Sequence, residues 1–179
     1  MQPYQLLTRI LVTLGVLALA ACSQEPTLDN DVIGQADIIN LLAPEENIIS
    51  SGQPTEEQFQ VLADAGIRHV INLRTPQEMD FDEAALVESL GMEYHSIPVA
   101  VSAGITRDNA QELYELLDNF AGEPVVVHCA SGQRVGALIA LSAQQNQGMD
   151  AASALEEGQR WGLSSPRLTP VVRQVLDQI

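Results

Sequence analysis

The run Val125-Val126-Val127-His128-Cys129, followed by Ala130-Ser131-Gly132-Gln133-Arg134, constrains this chain more than any other segment. Three consecutive β-branched residues with no polar alternation suit a strand buried on both faces, at the centre of a parallel sheet. A small-residue helical pattern begins at Gly136 and runs to Gln145. Strand, short glycine-bearing loop and helix in that order place Cys129 at the carboxyl end of a central strand, next to a helix amino terminus. α/β proteins bind anions at both of those places.

The rest of the chain alternates strand and helix patterns around this unit. Ile48-Ile49-Ser50 reads as a short strand closed by Gly52 and Pro54, and Thr55-Glu56-Glu57-Gln58 fits a capping box ahead of a helix that stops at Gly66. Val70 to Leu73 reads as a buried strand, Asp82 to Leu90 as a helix closed by Gly91, and Tyr94 to Val99 as a strand. Thr106 caps a helix reaching Phe120, and two more helices follow near 150–160 and 169–178. The expected fold is α/β in three layers, a mainly parallel sheet flanked by helices.

The amino terminus has a different character. Ile10 to Ala21 is apolar except for Thr13 and Gly15, and it follows a single charge, Arg9. Such a stretch is too short to span a bilayer, which needs about 20 residues, and reads as a signal-peptide core. It ends Leu19-Ala20-Ala21-Cys22, which resembles a bacterial lipoprotein signal. The resemblance implies a signal peptide over 1–21, lipidation at Cys22, and a periplasm-facing envelope protein held by its lipid, with Ser23 favouring the outer membrane. Polar residues 22–36 read as a tether, and 37–179 as one folded domain.

Charge narrows the partners. The chain carries 24 acidic residues against 8 basic ones, all arginine, for a formal net charge of −16. That field repels polyanions and argues against nucleic acid. The two cysteines, Cys22 and Cys129, show no zinc-ligand spacing, and the acidic excess reads as a solvated face, so no metal site and no cofactor are expected.

The loop itself has the parts of an anion site. Successive backbone N–H groups can cradle an oxyanion, so Ala130, Ser131, Gly132 and Gln133 form the candidate anion-binding loop. Gly132 supplies the backbone freedom, and Arg134 a planar fork of donors. Helix amino termini and neighbouring cations bring free thiols from about 8.5 down to about 3.5–7.5. A thiolate facing an anion cradle is a nucleophile in an active site.

Ser51-Gly52-Gln53-Pro54-Thr55, Val70-Ile71-Asn72-Leu73-Arg74, Leu90-Gly91-Met92-Glu93-Tyr94-His95-Ser96-Ile97-Pro98-Val99 and the cysteine loop occur in that order. Together, over residues 47–145, they resemble the bacterial beta-lactamase-hydrolase-like phosphatase-like domain, of the cysteine-dependent dual-specificity/tyrosine phosphatase fold. The resemblance implies Cys129 as nucleophile, Arg134 as oxyanion clamp and His128 as a supporting residue. Three departures accompany it. Phosphatases of this fold usually place five residues between Cys and Arg; here there are four, Ala130 to Gln133, a spacing shared with rhodanese-type sulfurtransferases. Val135 stands where phosphatases have Ser or Thr. The loop Val99 to Gly104 lacks the usual general acid, and Asp108 is the nearest substitute, although a helix-terminal charge is its simpler role.

The expected function is therefore hydrolysis of a phosphomonoester through a phosphocysteine. A rhodanese-like sulfurtransferase using a sulfane-sulfur substrate is the alternative, since sulfite and thiolates leave without an acid. A non-catalytic anion- or partner-binding module is the third reading. Arg74 is expected either as a second cation at the mouth or in a surface pair with Glu78. His69 and His95 are expected as ordinary strand-edge residues, and Trp161 as packing.

Overall fold

The structure, a computed structural model, describes residues 27–178. The expected signal peptide and Cys22 lie outside the described residues. Five strands, β1 (Leu42–Glu45), β2 (Ile48–Ser51), β3 (His69–Asn72), β4 (Glu93–Ser96) and β5 (Val125–His128), form one sheet in the order β1-β2-β5-β3-β4. Only the β1–β2 pair is antiparallel. The valine run is the central strand, as its composition requires, and Ser51, His128 and Asn72 stand in one register row at the carboxyl ends of β2, β5 and β3.

The pleat sorts the core into two layers. Val125, Val127 and Cys129 face a cluster with Leu113, Leu138, Leu141, Trp161 and Val172. This layer is built from α4 (Arg107–Asn119), α5 (Gln133–Gln147), α6 (Ala151–Arg160) and α7 (Leu168–Leu176). Val126 faces Phe59, Leu62, Val70 and Val87, the layer of α1 (Asn30–Ile33), α2 (Glu56–Asp64) and α3 (Glu83–Ser89). The α/β three-layer expectation holds.

Local signals placed most of the elements. Thr55 forms the capping box, its hydroxyl accepting from the Gln58 amide while its own N–H donates to the Gln58 side chain. Thr106 caps α4 and Asp82 caps α3. Helix α5 begins at Gln133, three residues before the pattern suggested, because Gly132 adopts φ 76° and turns the chain directly into the helix.

The folded part begins earlier than expected. Leu28, Ile33 and Ala36 are buried against the α2 layer, and the Asp29 side chain caps the short α1. Residues 28–36 are therefore packed structure rather than tether; their apolar groups are too sparse to show a period. His69 lies on the inner strand β3, between β5 and β4, and is buried, so it is not an edge residue. Trp161 is buried in the core, as expected. No described helix is long and apolar enough to cross a membrane.

Candidate active site

The sheet register fixes the floor of the site. The Cys129 amide donates to Ser51 O at 3.3 Å and the Leu73 amide to His128 O at 2.9 Å, so the loop leaves β5 still laced to both neighbouring strands. Gln53 N bonds Ala130 O at 3.4 Å, and the Asn40 side chain bonds Ser131 O at 3.1 Å. The loop carbonyls are thus held by the scaffold. The amides of Ala130 and Ser131 have no protein acceptor among the described residues. Those of Gln133, Arg134 and Val135 open α5, where helix geometry leaves amides without an intrahelical partner. A set of unspent donors beside a sulfur is what an oxyanion needs.

Cys129 lies at the bottom of an open pocket of about 330 Å³ and is itself 1% exposed. Ala130, Ser131, Gln133 and Arg134 line the pocket with it, and Val101, Pro166 and Leu168 add apolar walls. Arg167 also lines it, a cation the sequence did not single out. Its guanidinium makes no ion pair among the described residues. The wall that carries Arg167 is tied to the loop by Gln133. The Gln133 side-chain oxygen accepts from the Ser164 and Ser165 amides, both at 2.7 Å, and its Nε2 donates to Ser164 Oγ at 3.0 Å.

Arg134 is 3% exposed and is held from three sides. Its Nη1 donates to Leu73 O at 3.2 Å, to Val99 O at 2.7 Å and to Glu78 Oε2 at 2.8 Å, and its Nη2 donates to Glu78 Oε1 at 2.7 Å. Burial opposes the guanidinium charge, but the Glu78 carboxylate and the neighbouring Cys129 sulfur outweigh it and raise the Arg134 pKa. The same bidentate bond pulls Glu78 down to about 2, against its own desolvation. Glu78 is therefore ionised at neutral pH, and although it lines the pocket it holds no proton to give.

Two expectations change here. Glu78 pairs with Arg134, not with Arg74. Arg74 instead bonds Gln53 Oε1 at 2.6 Å and the Glu78 carbonyl, with Asp80 at 3.7 Å. It lines a separate pocket with Met79, Phe81 and Tyr94, so it is not a second cation at the Cys129 mouth. Asp108 is exposed on the first turn of α4 and is not among the residues lining the Cys129 pocket.

His128 sits on the other side of the sheet. The pleat that turns Cys129 towards α5 turns His128 towards α2, where its ring meets Phe59 edge-on at 5.9 Å. Its Nε2 lies 2.9 Å from Oε1 of Glu83, and both side chains are fully buried. Glu83 also accepts from Asn72 at 2.8 Å and from Gln53 at 2.5 Å. Four polar residues from β5, α3, β3 and the loop after β2 thus meet beneath the site. A buried carboxylate is tolerable only when its lone pairs are used this way. Sequence reading missed Glu83, which looks like an ordinary acidic residue in a first helical turn.

A more enclosed cleft lies elsewhere, lined by Glu46, Ile48, Tyr114, Leu117 and Trp161. Its lining holds neither a cysteine nor a basic side chain, so the Cys129 pocket is the candidate site.

Comparison with known proteins finds phosphatase-like relatives in sequence and in fold. A family model described as "DSP-PTPase phosphatase fused to NAD+ Kinase" matches residues 33–169. The beta-lactamase hydrolase-like protein of Xylella fastidiosa (strain Temecula1) is 35% identical over 102 residues, covering 54% of this chain and 23% of the relative. The chain thus aligns with about a quarter of that longer protein. A crystal structure from Shewanella putrefaciens CN-32, of a DUF442 protein designated there as a candidate phosphatase, superposes with TM-score 0.60 at 27% identity, over 81% of this chain and 95% of that one. PTPMT1 in complex with PI(5)P superposes with TM-score 0.61 at 18% identity, over 76% and 94%, which shows a common fold.

Proposed function

Because the chain belongs to the family of phosphatase domains of the dual-specificity/tyrosine type described as fused to NAD+ kinase, we propose that it is a phosphomonoester hydrolase in which Cys129 is the nucleophile. The observation that carries this reading is the coincidence, in one pocket, of Cys129, the opening amides of α5 and Arg134.

In the proposed cycle the phosphoryl group enters with its oxygens against the loop amides. The Cys129 thiolate attacks phosphorus, an S–P bond forms, and the P–O bond to the alcohol breaks. Water then attacks phosphorus and the S–P bond breaks, which releases inorganic phosphate and restores the thiolate. Arg134 stabilises charge on the phosphoryl oxygens in both steps. Its fork is engaged by Glu78, so the phosphoryl group shares or displaces that carboxylate as it binds. Glu78, Gln53, Glu83 and His128 are positioning groups. With Glu78 ionised and Asp108 outside the pocket, the leaving oxygen takes its proton from water. Such a site favours aryl phosphates, whose oxyanions leave readily, over alkyl phosphates.

One observation supports a second reading. Four residues separate Cys129 from Arg134, a spacing that suits transfer of a sulfane sulfur carried as a persulfide on Cys129. We also propose that Cys22 is lipidated and holds the domain at an envelope membrane; loss of membrane fractionation in Cys22→Ala tests this, and unchanged fractionation refutes it.

A parallel assay separates the two chemistries. One arm measures aryl-phosphate hydrolysis, the other sulfur transfer from thiosulfate to cyanide, with Cys129→Ser as control in both. Phosphate release abolished in the control is the expected result. Sulfur transfer alone would replace the hydrolase with the sulfurtransferase.

A further inference from the structure

At the amino-terminal end of the sheet, opposite the Cys129 loop, two histidines and a glutamate surround one point, with a second glutamate behind one of the histidines. His69 opens β3 and is paired in register with Glu93, which opens β4; His95 is two residues along and shares the face of Glu93. Phe120, which caps the carboxyl end of α4, closes the group, its ring centroid stacked on that of His69 at 3.8 Å and 4.8 Å from that of His95. His69 Nδ1 lies 3.5 Å from Glu93 Oε2, and His95 Nε2 lies 3.8 Å from that same oxygen. Nδ1 of His69 and Nε2 of His95 are both buried without a hydrogen-bond partner, and His69 is 5% exposed.

Two orphaned ring nitrogens aimed at one carboxylate oxygen are costly as they stand. We propose that His69 Nδ1, His95 Nε2 and Glu93 bind a divalent first-row transition metal ion, zinc foremost. The three ligand atoms lie within 4.8 Å of one another. Tetrahedral zinc at about 2.0–2.1 Å from its ligands sets them about 3.3 Å apart; Glu93 Oε2 already lies 3.5 Å and 3.8 Å from the two nitrogens, and a small rotation of the His95 ring, whose side chain is 24% exposed, brings Nε2 towards Nδ1 and closes the shell. The outer partner is already in place. Glu123 Oε2 lies 3.3 Å from His69 Nε2, which directs the proton to Nε2 and the lone pair to Nδ1, as in carboxylate–histidine–metal arrangements. Arg68 in turn pairs with Glu123 at 3.4 Å. The exposed side of Glu93 leaves the fourth position to water. Such an ion would tie β3 to β4 at the end of the sheet remote from Cys129.

The test uses the full chain, purified in detergent, stripped with EDTA and dialysed against zinc chloride, with bound zinc counted by mass spectrometry. The expected result is one zinc per chain, with affinity at least tenfold lower in Glu93→Gln and in His95→Gln and a zinc-dependent rise in Tm only in the unsubstituted protein. Glu93 is exposed, so its variant folds and keeps the test decisive; circular dichroism confirms this for both. Less than a tenth of an equivalent bound, or a full equivalent retained in both variants with Cys129 or other groups holding it, overturns the assignment. Aryl-phosphate hydrolysis is read separately, so its failure does not bear on the metal.

Discussion

Helix α5 carries Arg134 in its first turn, and its position depends on two glycines. A Cβ built on Gly136 would lie 2.3 Å from Gly158 O and 2.5 Å from Leu163 N; one on Gly158 would lie 2.5 Å from Gly136 O and 2.8 Å from the Ala140 Cβ. Helices α5 and α6 therefore touch backbone to backbone, and the Leu163 amide closes α6 by bonding Gly158 O at 2.9 Å. Consider Gly136→Ala. Alanine improves helix propensity by about 1 kcal/mol. Against this, neither clashing atom is the tip of a flexible side chain, so the helices must part, and overpacking of this kind costs about 3 kcal/mol at the upper end of its usual range. The net loss is about 2 kcal/mol, or about 4–8 °C in Tm for a domain of this size. Gly158→Ala has the same cause, so once the helices have parted the second alanine costs less. The double variant falls short of the sum by about 1 kcal/mol. Urea unfolding of the four proteins measures this. A Gly136→Ala protein as stable as the parent, or strictly additive losses, would refute the close-packing argument.

Other outcomes follow from the site. Glu78, held at about 2 by Arg134, contributes stability that is fully present above its ordinary value of 4.5 and is lost as pH falls towards 2. Screening at its partly exposed edge limits this to about 1–2 kcal/mol. Glu78→Gln should lose that amount at pH 7 and flatten the decline of the urea midpoint between pH 5 and pH 2; a variant with the parent's pH profile would contradict the pairing. Glu83→Ala leaves His128, Asn72 and Gln53 facing an empty buried space and should cost about 3–5 kcal/mol, read by the same unfolding curves; a loss under about 1 kcal/mol would mean the buried network is not holding the floor of the site. Arg167→Ala should raise KM for an aryl phosphate about two- to fivefold with Tm unchanged, the scale of an exposed charge pair, and the difference should shrink in high salt. An unchanged KM at low salt would remove Arg167 from substrate binding.

What was legible in the sequence was local. The valine run announced the central strand because burial on both faces removes polar alternation. Thr55, Asp82 and Thr106 announced helix starts because their caps lie within three residues. The candidate nucleophile and its arginine were legible because one short loop carries both. The remainder depends on where distant segments meet. Glu83 could not be separated from other acidic first-turn residues until α3 brought it against His128. Glu78 sits four residues from Arg74, which suggested the wrong partner; the fold brings it to Arg134 instead, across a far longer loop of chain. Arg167 reaches the pocket only because Gln133 ties the segment before α7 to the Cys129 loop. Strand β1 went unread because Pro44 interrupts it, which only an edge strand tolerates.

The central claim is that Cys129 takes the phosphoryl group, and trapping that species tests it most directly. The protein is mixed with an aryl phosphate, quenched in acid during the first turnover, digested and analysed by mass spectrometry. The account predicts one phosphoryl group on the peptide containing Cys129, absent from Arg134→Ala at the same time point. Phosphate release that continues in Cys129→Ser, with no adduct on the parent's cysteine, would contradict it.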